Sequence, residues 1–548
     1  MERGDGGVPR PRPWDATDRR RLVLVTAAAL LLFTYGLGVG TLWDQDEPKY
    51  VQVAKELLQS GDPFTLRLDG RPWFVHPPLY FWLEAAAGEL FGFTEFTARL
   101  WSALAGAGMV AGTFLLARFF YDARTALLAA AVAATTMGVL VQARLAAFDP
   151  LLVAFMVLAL YMVLVGYTTG SRRASLWAWG WAGLATATKG PIGLLLPAMV
   201  VVALWAVRRE WRRWRDQPAL GPVLYAAIGL PWYVIETVRW GEEFLRTAVG
   251  YYLITRFFGV VEDQPGPWWY YGPVLVLGTF PWTAFVPASL VWLWRRRGDL
   301  ASQVILLWCG ITVAFYSIAG TKLPNYVLPV YPVLAVAVGR FWTAVLDGLS
   351  EVRGLGRWAF ALLPLTSLVL VAGVAVYGST KYPAEAAALR PVVMIATTAL
   401  AAGPLVAWTL ARRPSLAFAA LVLTSGVTVA VMVHQTLPAL EAHRPIPRIA
   451  LTLRQQMGPG DALVAVRMSL SASLRFYSGQ TVIWVETPSD LTRALCEHGR
   501  AFLVIPAAEE AAWAGALLPP GTRLQGEDGG YRIFLKDGRT ACKPPPPR

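Results

Sequence analysis

Asp44, Asp46 and Glu47 stand together directly after the first apolar run of the chain. Pro48 follows where proline suits the first turn of a helix. Behind it Tyr50, Val53, Ala54, Leu57 and Leu58 repeat at helical spacing, with Lys49, Gln52, Lys55, Glu56 and Gln59 on the other faces. This pattern predicts an amphipathic helix lying in a membrane interface and closed by Ser60-Gly61. Asp46 and Glu47 then sit at the membrane surface beside a helix N-terminus. A carboxylate at such a dry boundary can be shifted toward the pKa of a useful general base, while capping of the helix is the plainer alternative. Other reactive side chains lie further along: His76 in HPPLY, Asp149 in RLAAFDP, Lys189 in TKGP, Arg256 with Glu262 and Asp263 in RFFGVVED, and Lys322 with Tyr326 in TKLPNY.

The elements that must position these residues follow from composition. The chain has 548 residues, 55% hydrophobic and 16% charged, where a soluble protein would carry roughly 25% charged residues. Its mean hydropathy is +0.46. After an uncleaved anchor at 22–42, apolar runs centre near residues 108, 133, 158, 182, 198, 227, 282, 310, 333, 367, 401 and 425. The expectation is an all-α polytopic membrane domain (22–436) of about thirteen transmembrane helices, each about 20 residues long. With the N-terminus in the cytoplasm, Arg118/Arg124, Arg172-Arg173, the 208–215 cluster, Arg295-Arg296-Arg297, Arg353/Arg357 and Arg412-Arg413 fall on cytoplasmic turns. External turns keep the single cations Arg144, Lys189 and Lys322, as the positive-inside bias requires. All the polar motifs above then share the external face. Net charge +13 therefore reports topology, and nucleic-acid binding is set aside.

Further divisions follow. Residues 1–21 read as a solvated basic tail. External loops are expected at 43–96, with a second interfacial helix over 77–91, and at 237–270. Beyond residue 440 the apolar runs shorten to strand length (462–466, 481–485, 501–505) and alternate with helical stretches (489–497, 508–517), which reads as a small extracytoplasmic α/β domain over 440–540. The proline-rich 541–548 reads as a disordered tail. Cys496 and Cys542 share that oxidising compartment and are candidates to pair, whereas Cys309 lies in a span.

The string DQDEPKYVQVAKELLQSGDPFTLRLDGRPWFVHPPLYFWL resembles the bacterial glycosyltransferase C superfamily. The likeness is to the lipid A aminoarabinose transferase and protein O-mannosyltransferase-like branch. It continues through RLAAFDPLLVAF, TKGPIGLLLP, GPWWYYGPVLVLGTFPW and GTKLPNYVLPVYP in the family's order. The resemblance implies transfer of a sugar from a polyprenyl-phosphate donor to a lipid, glycan or protein acceptor outside the cytoplasmic membrane. It implies that Asp46 is the key catalytic carboxylate with Glu47 beside it, and that Lys189, Arg256 and Lys322 hold the departing phosphate. It makes Asp149 a residue that orients a cation or the sugar, and Tyr326 a residue of the donor cavity.

Each role has a plain structural alternative. Lys189 and Lys322 can be snorkelling anchors, Arg256 can pair with Glu262 or Asp263, and Asp149 can cap the span that opens at Pro150. Trp268-Trp269-Tyr270-Tyr271 reads as an interfacial aromatic belt. The chain also departs from the aminoarabinose pattern. Val75 and His76 replace a Glu-Lys pair, Lys49 replaces an arginine, and the stretch after Arg256-Phe257 has no histidine, only Glu262 and Asp263. His76 can replace the missing lysine at the phosphate or simply pack. The family's metal is not carried over; a divalent cation stays open, with Glu262 and Asp263 as its only candidates. A transporter or flippase for a lipid-linked sugar would bury charge midway through spans, often in inverted repeats. A non-catalytic scaffold would be expected to lose Asp46-Glu47. Neither pattern is found.

Overall fold

A computed structural model describes residues 13–44, 46–381, 383–468, 472–510, 513, 518 and 521–537. Cys542, the tail 541–548 and most of 508–517 lie outside them. The described chain is mostly helical, with a small sheet near its C-terminal end. Among the described residues six helices are long and apolar enough to cross a membrane: Glu95–Phe120, Asp149–Thr169, Leu300–Ile318, Ser350–Val376, Leu389–Thr409 and Pro414–Glu441. Shorter apolar helices run over Ala123–Thr135, Ile192–Arg208, Leu220–Gly229 and Val330–Leu346. The apolar run centred near 282 is no continuous helix; it breaks between Tyr271–Gly278 and Phe285–Arg295.

Two segments outside the expected spans contain helix. The basic tail ends sooner than residue 21, because Asp15 caps a helix over Ala16–Thr34 whose Asp18 meets Arg118 at 2.7 Å in a buried pair. The segment 237–270 is largely helical: Pro231–Phe244 leads into a wider-wound turn, Leu245–Thr255, and then Arg256–Phe258.

The helical body is held by close contact of small residues and by large rings. At Gly339 an added Cβ would stand 2.6 Å from the Ala129 backbone, the kind of backbone approach that lets helices associate where the solvent is lipid. Phe285 and Trp342 meet at 4.7 Å between centroids, with Phe360 and Phe418 on the same tryptophan.

The first loop holds helices Asp46–Ser60 and Leu79–Phe91. Between them a small hairpin pairs Arg67–Leu68 with Arg71–Pro72. Its Asp69-Gly70 turn has both φ positive, at 58° and 72°, the geometry that tight hairpins demand.

At the other end of the chain, a five-stranded sheet has the order Val482–Val485, Ala462–Val466, Arg500–Pro506, Tyr531–Asp537, Thr522–Asp528. The first three are parallel and the last two antiparallel.

Candidate active site

Helix Asp46–Ser60 is fixed at its start by Glu47. The Glu47 carboxylate accepts from Trp43 N (2.7 Å), Arg99 Nε and Nη2 (both 2.9 Å) and Ala146 N (2.6 Å). Arg99 in turn donates to the carbonyls of Leu37, Val39, Gly40 and Thr41. One buried ion pair thereby joins the exit of the first helix, the start of the helix Glu95–Phe120 and the turn that precedes Asp149. The expectation that Glu47 acts beside Asp46 is corrected on this point: its acceptor positions are engaged inside the protein, and it does not line the cavity.

Asp46 points the other way. Its side chain is 69% exposed, pairs with Lys49 (3.1 Å), and stands at the edge of a cavity of about 450 Å³. That cavity is also lined by Lys49, Tyr50, His76, Lys189, Arg256, Glu262, Asn325 and Tyr326. Lys189 is the last residue of its helix; its ammonium meets Asp149 at 2.5 Å and lies over the rings of Phe148 (5.0 Å) and Tyr326 (5.1 Å). Asn325 Nδ2 donates to the second Asp149 oxygen at 2.7 Å. Asp149 is therefore more than a cap, since it aims two donors from distant turns.

Opposite, Arg256 donates to the Tyr326 hydroxyl (2.8 Å), to Glu262 (2.9 Å) and to Gln264 (3.2 Å). Three cations thus face the cavity against the acids Asp46 and Glu262, which suits a bound anion. Burial, and then the charges of Lys189, Arg256 and Lys49, hold the His76 imidazole well below its ordinary pKa. It packs between Trp73 and Phe148, 4.3 Å from the latter's centroid, as a neutral ring.

Two more expectations are corrected. Lys322 is buried, off the cavity lining, and its ammonium donates to the Ala319 carbonyl. Its neighbours hold the Arg256 loop instead: Gly320 N donates to Phe257 O (2.7 Å), Lys322 N to Gln264 O (3.0 Å), and the Thr321 hydroxyl bridges Gly259 O and Val261 N, both at 3.0 Å. Asp263 also lies off the lining, in a turn where it and Glu262 have positive φ. Glu262 is engaged by Arg256. Among the described residues no group of three or more His, Cys, Asp and Glu is placed to hold a metal ion, so these side chains do not fit one.

Sequence reasoning passed over Arg99, Gln264 and Asn325 as site residues. Asn325 was within reach, since TKLPNY sets it beside Tyr326. The aromatic cluster divides: Trp268 and Trp269 are exposed, whereas Tyr271 is buried.

Comparison with known proteins gives concordant likenesses. A family model for dolichyl-phosphate-mannose-protein mannosyltransferase matches residues 75–235. The chain is similar to the undecaprenyl phosphate-α-4-amino-4-deoxy-L-arabinose arabinosyl transferase of Pseudomonas paraeruginosa. The two are 30% identical over 417 residues, which cover 74% of this chain and 75% of that one. A Pseudomonas fluorescens protein of the same description is 28% identical over 465 residues, covering 82% and 81%. Among solved structures, ArnT from Cupriavidus metallidurans bound to undecaprenyl phosphate superposes with a TM-score of 0.79 at 25% identity, covering 95% of this chain and 98% of that one. Its apo form gives 0.75.

Proposed function

We infer the reaction of this chain from its kinship: it belongs to the family of bacterial undecaprenyl phosphate-aminoarabinose arabinosyl transferases, and it is a multi-pass membrane glycosyltransferase that draws its sugar from a polyprenyl phosphate. For this chain we propose a donor of the relatives' kind, a 4-amino-4-deoxy-L-arabinose on undecaprenyl phosphate, and, of the lipid, glycan and protein acceptors that the resemblance left open, a lipid of the lipid A kind. The observation that carries this reading is the convergence of Lys49, Lys189 and Arg256 on one cavity with the open carboxylate of Asp46 at its edge. Exposed apolar side chains at the same cavity, Ile254 and Phe258, suit substrates that arrive in a bilayer.

In the proposed reaction an acceptor oxygen attacks the anomeric carbon, and the bond from that carbon to the phosphate oxygen breaks. Polyprenyl phosphate leaves with the electron pair, and Asp46 orients the acceptor and takes its proton. Lys189 and Arg256 stabilise the charge growing on the phosphate. Asp149 and Asn325 hold Lys189, and Tyr326 holds Arg256. His76, neutral, can donate one hydrogen bond to the phosphate. Polyprenyl phosphate carries its own leaving-group activation, so no nucleotide-binding fold is needed.

The finer topology is proposed with the reaction: about thirteen crossings, the N-terminus in the cytoplasm, and both the cavity and the 440–540 domain outside the cytoplasmic membrane. The test is transfer by the purified full chain from a synthetic undecaprenyl-phosphate sugar to lipid A, followed by mass spectrometry. Asp46→Asn is expected to lower turnover by about 10²–10⁴-fold while donor binding persists. Undiminished turnover in that variant would remove Asp46 from the mechanism.

A further inference from the structure

A second cavity, of about 830 Å³, lies far from Asp46. It is formed where helices Asp149–Thr169, Arg172–Lys189 and Ile192–Arg208 end opposite to Asp149 and Lys189. A helix of that length, 21 residues in Asp149–Thr169, spans about 30 Å, so the two cavities belong to opposite faces of the membrane. Nothing in the transfer reaction uses this one.

Its chemistry is two-sided. The deep wall is apolar, with Leu160, Leu164, Val200 and Leu204 all buried. The rim carries Arg172, Arg213 and Arg215 against one carboxylate, Asp216. Arg213 is already held by Glu210 at 3.3 Å and by Asp216 at 3.4 Å, and it lies over the Tyr167 ring at 4.9 Å. Tyr167 itself donates to Glu210 at 2.5 Å. Among the described residues Arg172 and Arg215 make no ion pair; Arg215 rests on the Trp214 ring, 5.6 Å from its centroid. Among the described residues two guanidinium groups are therefore left without a paired carboxylate at the mouth of a greasy slot. Basic pockets between spanning helices suit the headgroups of anionic lipids, whereas a free phosphate would gain nothing from the apolar wall.

We propose that this cavity is a binding site for an anionic phospholipid of the leaflet opposite the reaction, with the phosphate diester on Arg172 and Arg215 and an acyl chain against Leu160, Leu164 and Val200. Only the name of the leaflet rests on the reading of the first cavity as the reaction site; the binding does not, and transfer can persist where lipid binding fails.

The test is native mass spectrometry of the full chain titrated with dioleoyl phosphatidylglycerol, dioleoyl phosphatidylcholine and, separately, inorganic phosphate. Phosphatidylglycerol is expected to bind tightest. Arg172→Ala with Arg215→Ala should weaken it about tenfold and leave phosphatidylcholine unchanged. Arg172→Lys with Arg215→Lys should restore most of the binding, which guards against a folding defect. Val163→Trp, which fills the slot and keeps the arginines, should weaken the lipid and spare phosphate. Equal binding of the two lipids, indifference to the double alanine variant, or a site that takes phosphate but ignores Val163→Trp would each overturn the proposal.

Discussion

Asp46 and Glu47 are adjacent and chemically alike, and the protein gives them opposite surroundings. One is open at a cavity edge; the other is buried against Arg99. Removing one partner of a buried pair leaves the other charge uncompensated, at a cost of about 3–5 kcal/mol. Glu47→Gln is therefore expected to lower thermal stability by about that amount, read from the unfolding midpoint of the purified protein. Asp46→Asn should leave the midpoint nearly unmoved. Coincident losses in both variants would refute the division of labour. His76 yields a pH signature. Its folded pKa lies well below the ordinary 6.5, so below pH 6.5 the unfolded chain binds the extra proton. Stability should fall as the pH drops under that value, by up to about 1.4 kcal/mol per pH unit. His76→Phe should flatten this part of a stability-pH profile recorded from pH 8 to pH 5. The sequence announced the acids but could not divide their labour, because the partner that claims Glu47 lies 52 positions away inside an apolar helix.

At the scale of elements, the site depends on two strands of loop lying almost in contact. A Cβ on Gly320 would stand 2.4 Å from the Gly259 carbonyl, so the segment carrying Arg256 can approach only because residue 320 has no side chain. Gly320→Ala is expected to cost about 1–3 kcal/mol through overpacking and to weaken donor binding as Arg256 is pushed from Tyr326. Both are measurable by melting and by titration with undecaprenyl phosphate. Wild-type donor affinity in the alanine variant would show that the approach is immaterial. Helices were the most legible elements, because long apolar periodicity survives any packing. Most of the expected centres fall on helices, and strand Ala462–Val466 was read to the residue. The break near 282, the Asp69-Gly70 hairpin and strands Thr522–Asp528 and Tyr531–Asp537 were missed. The hairpin strands are two residues each, Thr522–Asp528 has few apolar residues, and Tyr531–Asp537 alternates in burial, so none carries the apolar run by which the other strands were recognised. Lys322 misled because a lone cation beside a span end looks alike whether it meets a phosphate or the Ala319 carbonyl.

At the scale of the molecule, residues more than 370 positions apart meet on the helix Asp46–Ser60 and the turn before it. Arg475, in the helix that follows strand Ala462–Val466, pairs with Glu56 at 2.7 Å and with Asp69 of the hairpin. Tyr477 accepts the amide of Leu42 at 2.7 Å and donates to Glu95, while Arg444 reaches the carbonyls of Thr41 and Leu42. A shift of an ångström at a reacting group costs up to about 100-fold. Arg475→Ala is accordingly expected to reduce turnover by about 10- to 100-fold with membrane insertion intact, and to raise hydrogen exchange across 46–72. Normal turnover would mean that the docking is idle. The Glu47 clasp and the Lys189-Asp149-Asn325 contact have a consequence for how the enzyme is made. Their members emerge from the ribosome in widely separated instalments, so a nascent chain released before Tyr326 has both of its foremost acids but no finished pocket. The pocket is thus assembled from segments made far apart in time, and its last member comes only after more than half of the chain.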